Sequence, residues 1–308
     1  MEMVGGKSPG ERLFNLSTFI IMIILMIVTL YPFWFSLISS LNSGADLARG
    51  PIFLWPREFS LGSWSAVLSD TGMLKALWVT ASRTVIVTVV SILYTAMFAY
   101  AFSRSYLKGK KFYIMIGFAS MYFSGGIIPS FMLMNWLGLY DNYLVYILPS
   151  LFGGFWNVII FNANYKALPE ALFESAKIDG ASEFRIFLQI VVPLSKPVLA
   201  ALAVFTAVNV WNDYGTTLYF TQSNDLQTLQ YMILRLIQSN RAVENMMSLQ
   251  GSNLAVSALL NNTKGQGPVT AQTIELAAMV IASLPMIIMY PFAQRFFVKG
   301  VLVGSVKG

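Results

Sequence analysis

Ser17–Leu37 reads STFIIMIILMIVTLYPFWFSL, 21 residues without a charged side chain. About 20 helical residues cross the hydrocarbon core of a bilayer, so this stretch is long enough to do it. Five more apolar stretches of similar length follow, near Thr84–Phe102, Phe112–Met134, Tyr143–Phe161, Val198–Phe220 and Ile274–Phe297. Strands of a membrane barrel are shorter and alternate in polarity. The runs therefore predict an all-α integral membrane protein with six transmembrane helices, folded as a single domain over residues 1–308. The first run is too long for a signal sequence and lacks a small-residue cleavage site, so it is expected to be retained.

Composition agrees with lipid as the solvent. Of the 308 residues, 56% are hydrophobic and 11% charged, where a soluble domain carries about 25% charged residues. Neither cysteine nor histidine occurs. That excludes disulfide frameworks, thiolate nucleophiles and the usual zinc ligands, and no metal site is expected.

The net charge of +6 reads as a topology signal. With the N-terminus in the cytoplasm, 13 Lys and Arg residues fall on inner segments and six on outer ones, with Arg83 at an interface where it can snorkel. Both termini are then cytoplasmic, and no nucleic-acid partner is implied. Two outer loops are long, 38–83 and 221–273, and the second carries an amphipathic helix from Leu226 (LQTLQYMILRLIQ). The inner connection 166–197 is also long.

Within that connection, PEALFESAKIDGASEFRIFLQIVVPLSKP (Pro169–Pro197) predicts two short helices around a sharp turn. Asp179-Gly180 supplies the break, because glycine takes a left-handed conformation without penalty. Ser182 is a suitable cap for the second helix, whose Phe184, Phe187, Leu188 and Val191 recur at helical spacing. Two readings stand side by side: a helix pair lying among lipid headgroups, or a knob docking a soluble partner through aromatic anchors and a charged rim.

The stretch resembles the cytoplasmic EAA loop of the permease subunits of bacterial ATP-binding-cassette importers. That pattern is Glu-Ala-Ala, three residues, Gly, nine residues, Ile, one residue, Leu-Pro; the chain has Glu174-Ser175-Ala176, Gly180, Ile190 and Val192-Pro193. Ser175 and Val192 are its departures. YFSGGIIPSFMLMNWLGLYDNYLVYILP from Tyr122 and the ending RFFVKGVLVGSVKG are similar to carbohydrate-importing permeases, the shorter maltose-type partner and the LplC/YtcP-like subgroup in particular.

The resemblance implies a type I importer permease fold and an oligosaccharide as substrate. It implies a second permease subunit forming a heterodimer, two copies of an ATPase subunit carrying ATP and Mg, and an extracytoplasmic solute-binding protein, all at the bacterial cytoplasmic membrane. No cofactor is expected on this chain itself. Coupling to the ATPase would fall to Glu174, Ser175, Ala176, Asp179, Gly180, Phe184 and Phe187. The tail at Lys299, Gly300 and Gly304 would reach toward the ATPase; the bland alternative is a basic tail held by headgroups.

A substrate path is sought where a span carries polar groups, which are expensive in lipid unless they face a partner or a wet cavity. The fifth span has the densest set, Asn209, Trp211, Asn212, Asp213 and Tyr214. Aromatic faces with amide and carboxylate edges suit a sugar ring; interhelical bonding explains the same residues. On one continuous helix Asn209, Asn212 and Asp213 would share a face, with Trp211 and Tyr214 on an adjacent stripe.

Chemistry by this chain alone is disfavoured. Gly6-Lys7-Ser8 lacks the glycine five positions earlier that a phosphate loop needs. An ion-coupled transporter would need ion sites on related halves, and one embedded Asp213 supplies little. A permease for an amino acid, phosphate or polyamine is the nearer alternative.

Overall fold

In a hydrocarbon layer each backbone N–H and C=O must pair within its own segment or with a neighbour, and the regular elements described in the computed structural model are all helices. The structure describes residues 9–152, 154–249 and 269–305, and among them no strand occurs, only an isolated bridge between Asn42 and Phe59. Two compact units arise, Met1–Asp70 with Leu236–Ile281 and Thr71–Arg235 with Ala282–Gly308.

In the first unit α1 (Pro9–Ser40) leads into the short α2 (Gly44–Leu47) and α3 (Gly62–Ser69). No residue in the most apolar stretch of α1 is buried within the chain, as suits a helix surrounded by lipid. Past its end the backbone is tied by side chains. Asn42 Nδ2 and Arg57 Nε each donate to Asp46 Oδ2 at 2.9 Å, and Arg57 Nη2 donates to the Gly50 carbonyl at 2.8 Å. Asn42 and Arg57 hold the Asp46 carboxyl below the usual carboxylate range. Ile38, Leu47 and Ile52 form a small core here with Leu276.

The second unit is built around α4 (Thr71–Ser103), 33 residues long. It starts well before the expected Thr84, which shortens the first outer loop. Then come α5 (Lys110–Tyr122), α6 (Ile127–Trp136), a 3-10 turn (Tyr143–Tyr146), α7 (Leu148–Phe152) and α8 (Phe155–Lys166). α9 (Ala171–Ile178), α10 (Glu183–Ile186), a π-turn (Phe187–Val191) and α11 (Val192–Leu194) form the connection to α12 (Lys196–Asn212) and α13 (Gly215–Phe220).

The expected third span is not one straight helix: α5 and α6 meet at 114°. Gly126 with φ +80 makes the break, and Gly117 of α5 lies so close to Phe155 of α8 that a Cβ there would overlap the ring. The expected fifth span is likewise divided, at Asp213-Tyr214. Among the described residues three helices are long and apolar enough to cross a membrane, and up to six spans result if each bent pair counts as one.

The amphipathic helix expected from Leu226 begins three residues later, as α14 (Leu229–Leu249). The Thr80 hydroxyl accepts from the Leu229 amide at 2.8 Å, fixing that start on α4. The last helix, α15 (Ala271–Ser305), continues through Pro285 and Pro291.

Candidate functional site

Two places in the second unit gather the residues singled out in the sequence. The first is the loop α9–α10. Its Gly180 takes φ +75, the left-handed turn expected, and the Ser182 hydroxyl accepts from the Arg185 amide at 3.4 Å as the cap of α10. Aromatic residues divide between its two faces. Phe173 and Phe187 are both only 2% exposed and join Ile186 and Val191 in a core with α4, α8 and Leu202 of α12. Phe184 is 58% exposed and Ile178, at the tip, 86%.

The expected pairing of Phe184 with Phe187 as outward anchors is corrected accordingly. Phe187, where the π-turn begins, packs on Tyr100 with ring centroids 5.5 Å apart, so its surface is already used within the chain. Ile178 takes its place on the outer face beside Glu174, Ser175, Asp179 and Gly180, all exposed. Ala176 packs partly against the core. Sequence periodicity had no means of finding Ile178, which sits alone beyond the apolar stripe.

Polar residues fasten the loop to the end of α4. Arg104, 5% exposed, lays its guanidinium 3.8 Å from the Phe173 ring centroid. The Tyr100 hydroxyl donates to Glu183 Oε2 at 2.6 Å, and Lys177 Nζ stands 3.0 Å from Glu183 Oε1. Burial raises the Glu183 carboxyl, but hydrogen bonds from Tyr100, Lys177 and Tyr106 outweigh it and leave it below the usual range. Burial and Glu183 together push the Tyr106 hydroxyl up to about 12. None of Tyr100, Arg104 or Tyr106 stood out in the sequence, because aromatic and basic residues at a span's end are ordinary there.

The second place is the break of the fifth span. A cleft of about 360 Å³ is lined by Arg83, Val87, Tyr146, Ser150, Asn209, Asp213 and Thr216 among others. Arg83 is 1% exposed, which corrects the expectation that it snorkels toward water. It pairs with Asp213 at 3.1 Å and lies 4.8 Å from the Tyr146 ring centroid.

The five fifth-span residues separate. Asn209 and Asp213 line the cleft. Asn212 Nδ2 donates to the Val208 carbonyl of its own helix at 2.9 Å and does not line it. Trp211 is buried, its Nε1 donating to the Ala282 carbonyl of α15 at 3.0 Å, which is interhelical bonding. Tyr214 is exposed, just past the end of α12. Asn209 and Asn212 both belong to α12, where Asn212 turns back onto its own helix; beyond the break at Asp213, Thr216 of α13 joins the lining. Lys299, Gly300 and Gly304 lie on the backbone of α15.

Broken apolar helices beside a polar cleft, with a helical loop on a buried base, define the membrane subunit of a transport system. The chain belongs to the family of binding-protein-dependent transport system inner membrane components, which it matches over residues 3–303. It is 36% identical over 281 residues to protein LplC of Bacillus subtilis (strain 168), covering 91% of this chain and 90% of that protein. To the polygalacturonan/rhamnogalacturonan transport system permease protein YtcP of the same strain it is 33% identical, over 97% of this chain and 99% of that one. A chain from the crystal structure of a bacterial ABC transporter that imports the acidic polysaccharide alginate superposes with a TM-score of 0.83 at 26% identity, covering 96% of this chain and 100% of that one. The resemblance to carbohydrate-importer permeases, and the helical permease fold expected from it, are borne out.

Proposed function

We propose that the chain is a permease subunit of an ATP-driven oligosaccharide importer, forming half of the membrane path. A second permease completes the path, two ATPase subunits hydrolyse ATP, and an extracytoplasmic binding protein delivers the sugar. The loop α9–α10 is then cytoplasmic and docks the ATPase, and both termini lie on its side of the membrane.

The observation that carries this reading is the two-sided construction of the loop. Its inner face is fixed by Phe173, Phe187 and Arg104, while an apolar tip residue and a charged rim point outward. Headgroup residence alone gives no reason for so rigid a base. An exposed Ile178 and Phe184 amid charges is the pattern of an anchor that fills a partner's pocket.

Sugar as cargo is supported by the relatives named above and by the chemistry of the cleft. Arg83 and Asp213 cancel in charge, leaving Asn209, Ser150 and Thr216 as donors and acceptors for hydroxyl groups and Tyr146 as an aromatic wall. Replacement of Ile178 with Asp should reduce copurification of the ATPase by about tenfold, with the subunit still in the membrane. Unchanged copurification in that variant refutes docking by this face.

A further inference from the structure

A guanidinium stays protonated even when buried, so the burial of Arg83 in a membrane-spanning helix must be compensated by bonds. Those bonds all go to one place. Nη1 donates to Asp213 Oδ2 at 3.1 Å, while Nη2 donates to the Val210 carbonyl at 2.7 Å and to the carbonyl of Asp213. The Val210 carbonyl belongs to the last turn of α12 and also accepts from the Asp213 amide, at 3.3 Å, whereas the Asp213 carbonyl lies past the end of that helix. A cation there also opposes the negative end of the helix dipole.

The aspartate it holds serves the other side of the break. Asp213 Oδ1 accepts from the Thr216 amide at 3.2 Å in the first turn of α13. One arginine from α4 therefore caps the end of α12 and fixes the residue that opens α13.

We propose that Arg83 is the positioning residue of the cleft. It keeps the fifth span broken at Asp213-Tyr214 and so sets where Asn209 and Thr216 stand against a passing sugar. Without it, the Asp213 carbonyl loses its donor and the Val210 carbonyl keeps only the 3.3 Å bond from the Asp213 amide, a loss most cheaply made good by continuing α12 through the break. Each residue drawn into the helix turns those beyond it by about 100°, which removes Thr216 from its place opposite Asn209. The same α4 carries Tyr100 and Arg104 against the loop α9–α10, so one helix touches both the cleft and the proposed ATPase contact. This role rests on the cleft being part of the sugar path.

The test uses the whole complex with both permeases, ATPase and binding protein, and radiolabelled galacturonan oligosaccharides as the probe. Maximal uptake is normalised to assembled complex for the wild type, Arg83→Gln, Arg83→Lys and Asp213→Asn. Arg83→Gln should lower maximal uptake per complex by about tenfold or more. The half-saturating sugar concentration, set by the binding protein, should stay within about twofold of wild type, and Arg83→Lys should recover uptake to within about threefold.

Asp213→Asn keeps both backbone acceptors and the α13 contact but loses the charge that holds Arg83 Nη1, so it should lower uptake per complex by about threefold and decides the matter where Arg83→Gln fails to assemble. A lower yield with wild-type uptake per complex in Asp213→Asn and Arg83→Lys means a merely structural residue and overturns the proposal. So does wild-type uptake in every variant. A wild-type complex that takes up no oligosaccharide sinks the transport reading and this role together; uptake by the wild type with no change in the variants removes only the role of Arg83.

Discussion

Tyr100, near the end of α4, donates its hydroxyl to the carboxylate of Glu183, at the start of α10, at 2.6 Å. This bond fastens the loop α9–α10 to the longest helix of its unit. A hydrogen bond to a charged group is worth about 1.5–3 kcal/mol. Tyr100→Phe removes the donor and keeps the ring against Phe187. Sugar-stimulated ATP hydrolysis per complex should fall by about tenfold. Stimulation equal to wild type would show that the loop needs no such fastening.

Gly180 tests the turn itself. Its φ of +75 lies in the left-handed region, and nothing lies within 4 Å of where a Cβ would stand. Any loss on substitution is therefore backbone strain and not a clash. Gly180→Val should cost about 1–2 kcal/mol, displace Ile178 relative to Phe184, and reduce ATPase copurification. Gly180→Asn should be milder, since asparagine visits that region more readily. Equal effects of Val and Asn would contradict strain as the cause.

Trp211 and Asn209 lie two residues apart with separate tasks. Trp211→Phe loses the bond to the Ala282 carbonyl and should lower the yield of folded subunit, leaving uptake per complex unchanged. Asn209→Ala should leave yield unchanged and lower uptake per complex by about threefold to tenfold. Gel filtration and uptake on the same preparations measure both; a reversal of the two patterns would place the path on the wrong side of α12.

The turn after α1 should be acid-sensitive. Asn42 and Arg57 depress the Asp46 pKa in the folded chain. The resulting stability is present above the unfolded carboxylate value of about 3.9 and is lost as pH falls through the lower folded value. Hydrogen exchange across residues 42–58 should therefore accelerate below about pH 4. Asp46→Asn should exchange faster at neutral pH and lose that dependence. A wild-type profile flat from pH 7 to about pH 3 would contradict the linkage.

Much of this was legible in the sequence because membrane spans and tight turns are local features. Apolar run length located three long helices, α1, α4 and α15, and elsewhere shorter helices that meet at bends, and Asp179-Gly180 with Ser182 gave the turn and cap of the loop. What escaped depends on contacts distant along the chain. The break at Asp213 is held by an arginine 130 residues earlier, and no periodicity reports such a pair. Phe187 shares helical spacing with Phe184, but its ring is taken up by Tyr100 of α4, a contact between residues far apart in the chain. Ile178 shows the converse: a single apolar residue outside any pattern, made conspicuous by its exposure. The 114° bend between α5 and α6 escaped as well, since the apolar run reads straight through Gly126.

The central claim is that this chain moves sugar using ATP hydrolysed by another subunit. Proteoliposomes containing the full complex, with loaded binding protein outside and ATP inside, measure it most directly. Oligosaccharide uptake should require both, and Ile178→Asp should lower it by about tenfold while the complex's two permeases remain paired. Uptake that proceeds without ATP, or follows an imposed ion gradient, would contradict the account.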